Sequence, residues 1–242
     1  MKLYRILGLC LAVLLLFSCA GQSSGSLSAD GSAALSVSVS LEPQTAALVR
    51  RMFAAGGVTT GTVLDGPAIA KSMSNTPGIV SVILRNITPS AVEGNIQISQ
   101  IGEFLAGSRQ NISGRFIVFE QGTSGRCEIN VNRDNGPVIL ELLSSQIAGY
   151  LNALMAPVAT GEEMSKSEYL ELVASFYNKP ISDEIAASRI RASIEFPGPV
   201  SSVRGGTFSG RRVEFDIPLV DLLVLETPLS YEVRWGQANT PR

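Results

Sequence analysis

The chain has 242 residues, 45% of them hydrophobic, with 19 basic and 21 acidic side chains and no histidine. That length and apolar content suit one large or two small domains with a real core, so no disulfide framework is required. The slightly negative charge without any basic run argues against nucleic acid as a partner, and the missing histidines exclude Ser-His-Asp and Cys-His catalysis, histidine-built zinc sites and histidine pH switching.

Lys2 and Arg5 give the N-terminus a positive charge, and Ile6 to Phe17 is an apolar run broken only by Gly8 and Cys10. A helix needs roughly 20 apolar residues to cross a bilayer, so this shorter run reads as the core of an export signal. The tetrad Leu16-Phe17-Ser18-Cys19 resembles the lipobox of bacterial lipoproteins, with Phe17 where a smaller residue is commoner. The resemblance implies cleavage between Ser18 and Cys19, an S-diacylglycerol on the Cys19 sulfur and N-acylation of the new amine. Residues 1–18 are then signal peptide. Residues 19–32, rich in serine and glycine, read as a flexible tether. A membrane reached through the lipid on Cys19 is the first expected partner. The protein is expected to be exported and held at a bacterial membrane, with the outer membrane or periplasmic face favoured. Ala20 is not the aspartate that often retains lipoproteins in an inner membrane.

A globular domain is expected over residues 33–236, followed by a tail at 237–242. Leu35, Val37, Val39 and Leu41 alternate with serines, which is the period of a half-buried strand. Pro43 opens a helix that Gly56-Gly57 stops, and Leu64 to Met73 is a short helical candidate. Ile79 to Leu84 and Ala91 to Ile98 read as a strand pair, and Ile101 to Leu105 as one helical turn. Gly122 to Gly125 marks a hairpin between Arg115–Glu120 and Arg126–Val131. A helical insert is expected at about 137–188. It holds a long helix from Pro137 to Met155, a helix begun by the capping box Ser165–Glu168, and a short one capped by Ser182. Strands follow at Ile190–Phe196, Val213–Ile217 and Leu229–Trp235, with an apolar Leu219–Leu225 between the last two that suits either a buried helix or a strand. Clustered strands and helices without strict alternation give an α+β fold, a largely antiparallel sheet packed against several helices.

Ile194-Glu195-Phe196-Pro197-Gly198-Pro199-Val200, followed by Gly205-Gly206, Gly210, Val213, Glu214 and Phe215, is similar to the Phe-Pro-Gly-x-Val hairpin region of LppM-like bacterial lipoprotein domains. The resemblance implies an envelope-exposed α+β domain that binds a lipid or glycolipid. It carries over no catalytic residues.

Four further patterns bear on chemistry. Gly21-Gln22-Ser23-Ser24-Gly25 fits Gly-x-Ser-x-Gly but stands outside any strand-to-helix elbow. Asn130, Asn132, Asp134 and Glu141 fall at the spacing of a calcium loop, yet Gly136 is one place late and the preceding element reads as a strand. A turn into a helix is the simpler reading, and no metal is expected. Glu162-Glu163 and Asp183-Glu184 read as carboxylates placed near helix N-termini. Cys127 has no partner once Cys10 is cleaved off and Cys19 is lipidated, and it reads as a small buried hydrophobe. The sequence therefore points to a non-enzymatic binding or scaffold domain without cofactor, its partner a lipid or envelope protein. A lipid or glycolipid carrier and a histidine-independent hydrolase are the alternatives.

Overall fold

The computed structural model describes residues 20–55, 61–74, 76–106, 117–136, 151, 152 and 154–236. Ser18, Cys19 and the rest of residues 1–19 lie outside them, as do 137–150, most of the expected long helix, and the tail at 237–242.

The chain opens with β1 (Ala20–Leu27) and β2 (Ala33–Ser40), then α1 (Pro43–Ala55) and α2 (Gly66–Met73). The hairpin β3 (Ile79–Thr88) and β4 (Ala91–Ile98) leads to α3 (Ile101–Ala106), β5 (Ile117–Glu120) and β6 (Gly125–Val131). The helices α4 (Pro157–Thr160), α5 (Lys166–Phe176) and α6 (Lys179–Ala187) come later in the chain. The last part holds β7 (Arg189–Glu195), β8 (Val200–Arg204), β9 (Thr207–Ser209), β10 (Arg212–Pro218), α7 (Leu219–Val224) and β11 (Leu229–Trp235). The strands form a seven-stranded sheet in the order β3-β4-β2-β1-β7-β10-β9 and a four-stranded sheet in the order β5-β6-β11-β8. Among the described residues, every pairing is antiparallel except β1 with β7. The fold is α+β, as expected.

One expectation is overturned. Residues 20–27 are not a tether but the central strand of the large sheet, paired along their length with β2 and β7. Residues 28–32 are the tight turn into β2, closed by Ser28 N–H to Ser32 O at 2.8 Å and by the Asp30 carboxylate, which accepts from Ser32 N–H. Residues 20–32 thus belong to the folded domain, which was expected over residues 33–236. The reason is physical: a central strand gains backbone hydrogen bonds on both edges, so small polar side chains can sit in it without apolar burial of their own. Its inward series is Gly21, Ser23, Gly25 and Leu27. A Cβ on Gly25 would come within 2.5 Å of Ala34 O and of the Leu35 side chain.

The inner face of the large sheet carries Val37, Val39, Val92, Ile96, Ile190 and Val213, and it packs in one cluster with Leu48 of α1, Tyr169 and Val173 of α5, Ile181 and Ile185 of α6, and Leu219 and Leu223 of α7. Each such side chain contributes roughly 1.5–3 kcal/mol on burial. The apolar Leu219–Leu225 stretch resolves as a buried helix. The small sheet closes one end of this core through Trp235, whose ring lies 5.1 Å from Phe196 and whose Nε1 donates to Gly122 O at 3.0 Å.

The capping box at Ser165 is present as expected, with Ser165 and Glu168 each accepting from the other's backbone N–H. The next helix begins earlier than Ser182. Asn178 is its cap, accepting from Ile181 N–H, and Ser182 lies inside the helix, where its hydroxyl donates to Leu170 O of α5 at 2.7 Å.

Candidate binding face

Among the described residues, nothing covers the outer face of the seven-stranded sheet. Strand pairing alone decides which side chains meet there. One row across the sheet reads Ser38, Gln22, Arg191, Asp216; the next reads Ser36, Ser24, Ser193, Glu214, Thr207. Together with Gly205 and Gly206 these rows line a recess of about 980 Å³. Serine hydroxyls fill the middle, and charge is confined to the β7–β10 side. Asp216 Oδ1 is 2.7 Å from Arg189 Nε and 3.8 Å from Arg191 Nε, so it is held between two guanidinium groups. Each hydroxyl offers one donor and two acceptor lone pairs, so the recess can present many weak, directional contacts to a polar ligand.

Beneath the recess, Ser23 points inward at 6% exposure, and its hydroxyl has no hydrogen-bond partner among the described residues. The Gly-x-Ser-x-Gly pattern that includes Ser23 is therefore a strand, with Ser23 facing the core and Ser24 facing the recess.

A second polar surface lies on the small sheet. Glu232 stands among Arg126, Arg204 and Arg234, with Nε–carboxylate separations of 3.1 Å for Arg126 and 2.6 Å for Arg234 and an Nη2 separation of 3.2 Å for Arg204. Arg126 also pairs with Glu128. Burial acts to raise the Glu232 carboxyl, but the hydrogen bond from Arg234 and the charges of all three arginines outweigh it and hold the group below the usual carboxylate range. This network closes on itself, with two glutamates answering three arginines.

The remaining sequence candidates resolve into structural roles. Asn132 Oδ1 accepts from the N–H groups of Asp134 and Asn135, and Asn135 Nδ2 donates to Asn130 O, which makes the calcium-like spacing a tight turn after β6. Glu141 lies outside the described residues. Asp183 pairs with Lys179 one helical turn away. Glu184 serves a helix other than its own: its carboxylate accepts from Gln44 N–H, Thr45 N–H and the Thr45 hydroxyl at the start of α1. The Cys127 thiol packs against the core, and burial, helped by Glu128, pushes it up to about 12. Among the described residues, no helix is long and apolar enough to cross a membrane.

Sequence reasoning marked Ser36 and Ser38 as an outward face but missed Gln22, Ser24, Arg191 and Asp216 as their neighbours. The signal available was the serine run at 23–26, which composition assigned to a linker.

No protein-family model matches the chain, and no curated protein matches it. Its fold has a likeness to the NMR structure of the folded domain of the Mycobacterium tuberculosis LppM protein, at 12% identity and a TM-score of 0.41, covering 93% of this chain and 94% of that one.

Proposed function

We propose that this protein is a lipoprotein of the bacterial envelope, anchored through Cys19, that binds a polar partner in the serine-lined recess of its large sheet and catalyses no reaction. The observation that carries this reading is the open outer face. A sheet normally has each apolar face covered, and here, among the described residues, the uncovered face carries polar side chains across β2, β1, β7 and β10 around a recess that Phe215 also lines. Hydroxyl, amide and guanidinium groups in that arrangement suit an oligosaccharide or another ligand dense in hydrogen-bonding groups.

A lipid or glycolipid carrier is the second reading, since a sugar headgroup would suit the same recess. Its acyl chains would need room between sheet and helices. In that space Ile96, Tyr169, Val173, Ile181 and Ile185 are all 0% exposed and belong to one packed cluster.

Two experiments test the proposal. Metabolic labelling with a palmitate analogue, followed by fractionation, is expected to mark wild type and leave Cys19→Ala unlabelled and released from membranes; equal labelling and retention overturn the anchor. Titration of a panel of neutral and acidic oligosaccharides, followed by amide chemical shifts, is expected to perturb Gln22, Ser24 and Ser193 selectively. Shifts confined to other surfaces, or none with any member, overturn the recess as the binding face.

A further inference from the structure

The missing tether has a geometric consequence for how the domain meets the membrane. A flexible linker of the length of residues 20–32 would let the domain wander about 20 Å from its anchor in any orientation. Instead Cys19 directly precedes β1, and consecutive Cα atoms are about 3.8 Å apart. The attachment residue is therefore one position from the end of a central strand.

Strand register identifies what else lies at that end. Ala20 pairs with Ser40 and Arg189; Ser40 pairs with Ala91, Ala91 with Thr88, and Arg189 with Pro218. These six residues form the last row of six strands, about 24 Å wide at roughly 4.8 Å per strand. Beyond the row project the β3–β4 turn with Pro89, the β2–α1 connection with Leu41, and the C-terminus of α6. Ile87 beside that turn is 53% exposed, and Pro89, Ala186 and Ala187 are exposed as well. Arg189 is tied to Asp216, the N-terminus of α1 is already closed by Glu184, and Glu42 and Asp65, the cap of α2, supply the other carboxylates. The opposite end of the sheet carries Asp30, Glu195, Arg211 and Arg212, with Val80 and Phe208 exposed beside them.

We propose that this anchor-proximal end of the large sheet is a membrane-docking surface that rests on the lipid bilayer, with Ile87 and Pro89 in contact with the interface. The inference rests on the lipidation of Cys19 proposed above. It adds an orientation: the strands stand upright on the bilayer, and the recess opens sideways, parallel to the membrane plane, within a few residues of the headgroups. The β3–β4 turn, without charge of its own and with an exposed isoleucine beside it, suits the headgroup–acyl boundary, and the position of the anchor selects this end over the other.

The test uses the full lipidated chain in vesicles of phosphatidylethanolamine with a minority of phosphatidylglycerol. Single-cysteine variants Pro89→Cys and Ser209→Cys carry bimane, and the vesicles contain a nitroxide lipid as quencher. Both variants carry Cys127→Ala, so that the introduced thiol is the one that labels. Bimane at position 89 is expected to be quenched several-fold more than at position 209, and a Gly-Ser insertion between Cys19 and Ala20 is expected to shrink that difference. Equal quenching at both positions, in protein whose mass includes the diacylglyceryl group, overturns the docking surface and leaves the anchor standing. Protein without lipid mass on Cys19 overturns the anchor, and the docking surface with it.

Discussion

Ser23 separates a tether from a strand in a single measurement. If residues 20–27 were a linker, replacements at Ser23 would change stability by no more than about 0.5 kcal/mol, as surface substitutions do. In the central strand Ser23 is 6% exposed, stands opposite Val37 and Ala192, and keeps a hydroxyl without a partner. Ser23→Ala removes that unsatisfied group and is expected to stabilise the fold by about 1 kcal/mol. For a domain of this size that is a rise in Tm of about 2–4 °C. Ser23→Asp places a carboxylate among apolar neighbours with no cation facing it, and the cost is expected to be about 3–5 kcal/mol, a large share of a total of roughly 5–15 kcal/mol. The assay is urea unfolding of the chain expressed without residues 1–19, read as a shift in midpoint at constant slope. Two variants that both unfold with the wild-type midpoint would refute the central-strand assignment. Two that both destabilise would refute the claim that the hydroxyl is unsatisfied.

Three further outcomes are expected. Glu184→Ala removes the acceptor for two α1 backbone donors and the Thr45 hydroxyl, so thermal unfolding should register a loss of about 1–2 kcal/mol, with Glu184→Gln recovering part of it. The Glu232 carboxyl is lowered in the folded state, so its contribution to stability is complete above its unfolded value of 4.5 and is lost as pH falls through the lower folded value. In Glu232→Gln that acid-side loss should be smaller, and a decline as steep as wild type would show that other carboxylates govern it. Cys127, with its thiol pushed up to about 12, should resist iodoacetamide at neutral pH until urea unfolds the chain; fast alkylation of native protein would contradict its burial.

The legible parts of the fold were those in which side chains carry the period. β2, β10 and β11 alternate apolar with polar residues, and the structure places them as strands. The Ser165 cap was visible because both halves of a capping box lie within four residues. Asn178 was a weaker cue for α6, since its partner is a backbone N–H and the sequence offers Ser182 as a more conventional cap nearby. β1 was illegible for a different reason. It turns Gly21, Ser23 and Gly25 inward where other strands place valine, so hydrophobic periodicity has nothing to detect there. Its stability comes from two backbone ladders, one to β2 in the next segment and one to β7, whose partners lie far along the chain.

The same displacement from side chain to backbone explains why the recess could not be read from the sequence. Ser36 and Ser38 were outward-facing by alternation, but a row of four or five polar groups exists only once β1 lies between β2 and β7 and β10 closes the far side. Small residues in β1 serve both faces at once. Inward, Gly25 allows Ala34 and Leu35 to approach closer than a Cβ would permit. Outward, Ser24 keeps the floor of the recess low beside the longer side chains of β7 and β10. A strand built of such residues has no apolar signature to lose, and so composition resembles a linker. If Cys19 is the anchor, the strand that centres the sheet, floors the recess and meets the membrane is one and the same, and a substitution that disorders β1 should abolish ligand binding and orientation together, while leaving lipidation at Cys19 intact.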